Sequence, residues 1–191
     1  MLEILGIASG LISVSAYIPY IIDVIKKTTQ PERASWLIWF VLTAIAFFSQ
    51  LAKGASNSLW LPGIETCGLG IVLILSLKYG VGGLVKKDLL ALAAAGIGLI
   101  LWYFTKEPAV ALYIIIGIDS IGTVLTVQKA YEDPESETFI TWVLVAVAGI
   151  LSMIAVGKID IILLSYPFYI FLANAAVAFA MMIGKKPKKR K

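Results

Sequence analysis

Two carboxylic acids sit where the chain is otherwise apolar. Asp119 follows the run Tyr113-Ile114-Ile115-Ile116-Gly117-Ile118, and Glu65 is the only charged residue between Lys53 and Lys78. Desolvation disfavours the charged form of a carboxyl group. Such an acid either stays neutral and hydrogen-bonded or loads and releases a proton as water comes and goes. Asp119 and Glu65 are therefore the candidates for proton coupling. Similar stretches hold Tyr17, Trp39, Trp142 and Asn174. Aromatic faces with one amide suit a neutral polar ligand that has an apolar side, so these four are the candidate substrate-binding residues. The alternatives are an interfacial belt for the tryptophans, joined by Trp36, Trp60 and Trp102, packing for Tyr17, and an interhelical hydrogen bond for Asn174. Other chemistry is scarce. Histidine is absent and Cys67 is the single cysteine, which removes the commonest metal ligand, the commonest general base and any intrachain disulfide. No catalytic residue, metal or cofactor is expected, nor an enzyme.

The composition says what must position these groups. The chain has 191 residues, 60% hydrophobic and 15% charged, with mean hydropathy +0.92. A soluble domain is nearer half apolar and a quarter charged, so the lipid bilayer is the expected solvent. A helix needs about 20 apolar residues to cross it. Stretches of that kind run over 4–25, 34–52, 58–78, 88–105, 109–130, 138–156 and 160–183. Open sheet edges cannot sit in lipid, and the segments lack barrel alternation. The expected fold is all-α integral membrane with seven transmembrane helices. The start has no basic region and no cleavage site of small residues, and reads as the first span.

Seven spans sort the loops onto two sides. Lys26, Lys27, Arg33, Lys78, Lys86, Lys87, Lys129 and six tail residues fall on one, against Lys53, Lys106 and Lys158 on the other. The positive-inside bias places the N-terminus outside and the C-terminus in the cytoplasm of a plasma (inner) membrane. The basic tail, 185–191, reads as an anchor against anionic headgroups. No nucleic-acid partner is expected, and a homo-oligomer stays open.

The chain also resembles itself. At an offset of 103 residues Lys26, Pro31, Glu32, Trp39, Ser49 and Gly54 meet Lys129, Pro134, Glu135, Trp142, Ser152 and Gly157. The prolines suit the first turn of a helix, and the glutamates the positive end of its dipole. Two three-helix repeats, 1–78 and 109–184, are expected. A linker helix in 79–108 between two odd-numbered units keeps them parallel, giving a 3+1+3 plan. Repeats with a site at their interface are the usual plan of secondary transporters. Pro19, Gly122 and Pro167 are the candidate hinges, since proline deletes a helical hydrogen bond.

On this plan, with Tyr17-Ile18-Pro19-Tyr20, the basic pair Lys26-Lys27, and Ser35 to Trp39, the chain resembles the SWEET and PQ-loop superfamily of small-solute transporters. The resemblance implies an alternating-access carrier with a central cavity, a small polar solute as ligand with sugar slightly ahead, and proton coupling as in PQ-loop members. The chain departs from the family at Tyr20, where a glutamine is usual, at Gly122, where a proline is, and at Gln50 and Met153, where sugar carriers have tryptophan. The alternatives are a vitamin, nucleoside or amino-acid carrier of the same fold, and a non-transporting receptor or scaffold. A retinal photoreceptor fits poorly, because no lysine lies between Asp160 and Gly184 to form the Schiff base.

Overall fold

The structure is a computed structural model that describes residues 1–27, 31, 33–80, 85–132, 134 and 139–184. Among the described residues seven α-helices follow one another: α1 (Leu2–Ile25), α2 (Arg33–Ala52), α3 (Trp60–Tyr79), α4 (Lys86–Thr105), α5 (Pro108–Glu132), α6 (Phe139–Ala155) and α7 (Ile161–Ile183). A 3-10 turn, Asn57–Leu59, leads into α3. Three helical stretches, Leu2–Ile22, Asn57–Tyr79 and Ile161–Ile183, are long and apolar enough to cross a membrane. The other helices carry shorter apolar segments: Trp36–Ala52, Leu92–Thr105, Pro108–Ser120 and Phe139–Ala155. Glu32, Glu135 and the basic tail lie outside the described residues.

Polarity is inverted relative to a water-soluble bundle. Ile74, Leu90, Phe104 and Met182 are each about two-thirds exposed or more, while Ser9, Ser13, Ser76 and Ser152 are wholly buried. Contiguous apolar surface on this scale needs an apolar solvent. Inside such a solvent helices are held by close van der Waals packing and shared polar groups rather than by apolar burial.

The helices pack in a definite order. α3 lies between α1 and α2, and α7 lies between α5 and α6. α1 packs on α6, α2 packs on α5, and α4 covers α5 and α2. The main core gathers Leu42 and Ala46 of α2, Leu61 of α3, Leu112 and Ile115 of α5, and Tyr166 and Ile170 of α7. Small residues set the helix spacing. A Cβ on Gly6 of α1 would stand 2.2 Å from Asn57 O, and one on Gly149 of α6 would stand 3.0 Å from Pro167 O of α7.

The two ends of the bundle are distinct. Leu2, Lys53, Asn57, Glu107 and Gly157 meet at one: Gly157 packs on Leu2, Gly6 on Asn57, and Lys53 Nζ pairs with Glu107 Oε2 at 2.6 Å. We call it the Lys53 end. Gly54 and Gly157, 103 residues apart, both turn the chain there at positive φ, +82° and +70°, which glycine adopts without steric cost. At the opposite end Arg33 of α2 donates to Ser76 O (3.0 Å) and Gly80 O (2.8 Å) at the close of α3.

The prolines correct the sequence expectation. Pro31 precedes α2, which begins at Arg33, and Pro134 lies in a 3-10 turn ahead of α6, which begins at Phe139. Pro31 is fully buried, and its carbonyl lies 2.6 Å from where a Cβ on Gly80 would be. Pro134 Cγ lies 2.6 Å from the Cβ position of Gly184. Pro31 lies beside Gly80 at the end of α3 and Pro134 beside Gly184 at the end of α7, and a side chain at either glycine would collide.

Asp160 caps α7, its carboxylate accepting from Ile162 N and Leu163 N at 3.1 Å each, with Lys158 Nζ at 3.4 Å. The bond from Leu163, followed by Lys158, holds this carboxyl below its ordinary range. Because the folded state favours the ionised form, the stabilisation is complete above the unfolded value and disappears as pH falls through the folded one. Asp160→Asn keeps the cap but not the charge. In detergent melts it should unfold below the wild type at pH 7, with the gap closing under acid conditions. A second comparison tests the packing. Gly6→Ala should cost about 2 kcal/mol through overpacking, whereas Gly96→Ala, with open space around it, should be neutral or gain up to about 1 kcal/mol.

Candidate functional site

The acids predicted from the sequence lie near one another. α3, α5 and α7 all start at the Lys53 end, so helix rise puts Glu65 about 8 Å and Asp119 about 16 Å along their helices. Asp119 is close enough to Glu65 for the two carboxyl groups to interact electrostatically. No lysine or arginine lies on α3 before Lys78, on α5 before Lys129 or anywhere on α7, so hydrogen bonds must satisfy these acids.

Two tyrosines of α7 supply them. Tyr169 OH donates to Asp119 Oδ2 at 2.5 Å, and Tyr166 OH donates to Glu65 Oε2 at 3.4 Å. Each phenol oxygen is itself backed by a threonine: Thr123 of α5 at 3.0 Å from Tyr169, and Thr43 of α2 beside Tyr166. A phenol has one proton, so with that proton on the carboxylate the threonine must be the donor to it. The result is two short chains, Thr43–Tyr166–Glu65 and Thr123–Tyr169–Asp119, drawing on four helices. Glu65 and Tyr166 are about 95% buried, while Asp119 is half-buried.

Comparison with known families, curated proteins and solved structures finds no match.

The substrate-binding candidates are less united than the acids. Tyr17 is half-buried, its ring 2.8 Å from the Cβ position of Gly68 on α3, and close enough to Glu65 for an electrostatic interaction. Trp39 packs with Tyr17 in a cluster around Trp36, Leu69 and Val72. Trp36 is buried there, 4.9 Å from Tyr20 and 5.6 Å from Trp39 between ring centres. It belongs to the packing of that cluster, and Trp102, partly buried, packs on the main core. Trp142 stands apart from Trp39, against Ala130, Val177 and Ala180. Asn174 is buried, and its amide donates to Ile170 O of its own helix at 2.8 Å. Of the hinge candidates, Pro19 is exposed within α1, Pro167 is fully buried within α7, and Gly122 lies within α5.

Sequence reasoning missed Tyr166 and Tyr169. The available signal was their depth: at about 8 and 12 Å into an apolar helix they lie below the level where interfacial tyrosines sit. Their bonds differ in length, and mutation should separate them. Tyr169→Phe leaves Asp119 without its phenol and should destabilise the protein by about 1–2 kcal/mol. Tyr166→Phe, which removes the longer bond, should cost less. Thermal unfolding of both variants in one detergent gives the comparison.

Proposed function

We propose that the protein is a membrane carrier for a small polar solute, working by alternating access between two three-helix units and coupled to protons. The observation that carries this reading is the pair of acids, buried Glu65 from the first unit and half-buried Asp119 from the second, held by Tyr166 and Tyr169 of α7. Intramembrane acids are costly and mark substrate or proton pathways. Two that share a phenol-bearing helix between units can change their hydration together when the units move.

Helix packing supports the 3+1+3 plan. Replacing α1, α2 and α3 by α5, α6 and α7 turns the pairs α1–α3 and α2–α3 into α5–α7 and α6–α7, and turns α1–α6 into α5–α2; all are present. The glycine pairs Gly54 and Gly157, and Gly80 and Gly184, fit the same correspondence. On this reading all seven helices cross the membrane, the Lys53 end faces outside, and α4 links the parallel units. The resemblance to SWEET and PQ-loop carriers supports the fold and puts sugar slightly ahead of amino acid or vitamin as the solute.

A ligand thermal-shift screen over sugars, amino acids and nucleosides should identify the solute class, and uptake into proteoliposomes should then depend on an imposed proton gradient. Asp119→Asn should flatten that pH dependence. Unchanged pH dependence would remove the proton role, and absence of flux for every solute class would sink the carrier reading in favour of a receptor or scaffold.

A further inference from the structure

Two hydrogen bonds tie the proposed units together at the Lys53 end. Pro62 has no N–H, so the carbonyl of Ser58, four residues earlier, loses its helical donor. Ser152 Oγ of α6 supplies one at 3.1 Å. Elsewhere at the same end, the Gln50 amide of α2 donates to Ile162 O in the first turn of α7, also at 3.1 Å. In each case the end of a second helix grips the beginning of the third helix of the other unit. The two bonds lie one residue out of register under the 103-residue offset, which matches Ser152 with Ser49 and Ser58 with Ile161, the neighbours of Gln50 and Ile162.

The correspondence is imperfect in an instructive way. Ser152 holds its carbonyl with a hydroxyl, but in the first unit it is Gln50, the residue after Ser49, that donates, and to the carbonyl one residue beyond the equivalent Ile161. Ser49 Oγ and Gln50 Oε1 are left buried with no hydrogen-bond partner among the described residues. Ser49 is 1% and Gln50 2% exposed. A buried polar atom with no partner carries its full desolvation cost. A seam that stayed shut for good would gain by replacing both residues with apolar ones; a seam that opens to water recovers that cost each time.

We infer that the Ser152–Ser58 and Gln50–Ile162 bonds form a latch that holds the Lys53 end closed in this structure, and that opening it hydrates Ser49 and Gln50. The inference rests on the carrier reading above and adds to it the side that is closed and the groups that close it. The Lys53–Glu107 pair at the same end is not part of the latch: both side chains are partly exposed, and such pairs contribute little.

The test needs no substrate. In the full chain carrying Cys67→Ala and Ser49→Cys, reconstituted in liposomes, an impermeant maleimide is added outside. Trypsin protection of the basic tail selects the molecules whose Lys53 end faces the bath. Labelling should be slow, and Gln50→Met with Ser152→Ala should speed it roughly tenfold, the worth of two hydrogen bonds within a membrane protein. Gln50→Met alone, which installs the residue of the second unit, should give roughly threefold and serves where the double variant does not fold. An unchanged rate in a folded variant, or fast labelling with both bonds intact, overturns the latch. Solute flux is read separately, so a latch-dependent rate without flux upholds the latch while telling against the carrier.

Discussion

A polar group surrounded by hydrocarbon has no water to fall back on, so each one must be answered by another group of the same protein. That constraint organises the interior of this chain more than apolar burial does, because lipid is as apolar as leucine. It accounts for phenols aimed at carboxyls, for threonines behind the phenols, and for a serine hydroxyl that reaches the carbonyl orphaned by Pro62. It also singles out the few places where the pairing is incomplete.

The second organising feature is the correspondence between the first and last three helices. Equivalent glycines make equivalent turns, and equivalent prolines sit beneath equivalent helix ends. Yet the polar chemistry of the two sets of helices differs. The first three helices contribute Glu65 and Gln50 and the last three contribute Asp119 and both phenols, so the polar pairs draw on both sets.

Much of the fold was legible in the sequence, since a break in an apolar run is a strong signal where the solvent is lipid. The expected stretches agree with the helices to within about two residues at most ends, and a fraying helix terminus is no more sharply defined than that. The glutamate and aspartate were visible as anomalies of cost. What stayed hidden was pairing across helices. Pro31 and Pro134 carry helix-start chemistry but are used as packing against glycines far along the chain. Trp39 and Trp142 match under the repeat, which suggested a shared cavity, but matched residues occupy equivalent surroundings, each within its own unit, and these two rest on different clusters. Tyrosine is so common at membrane interfaces that Tyr166 and Tyr169 gave little warning of their role.

Tyr166 and Tyr169 stand three residues apart on one continuous helix, with Pro167 between them. Three residues advance a helix by about 4.5 Å, so the two phenols are fixed to each other as firmly as the helix is rigid. A slide or roll of that one element large enough to break a hydrogen bond withdraws both donors in a single stroke, from an acid on either side. The position of α7 and the solvation of two separate carboxyls thereby become a single mechanical coordinate.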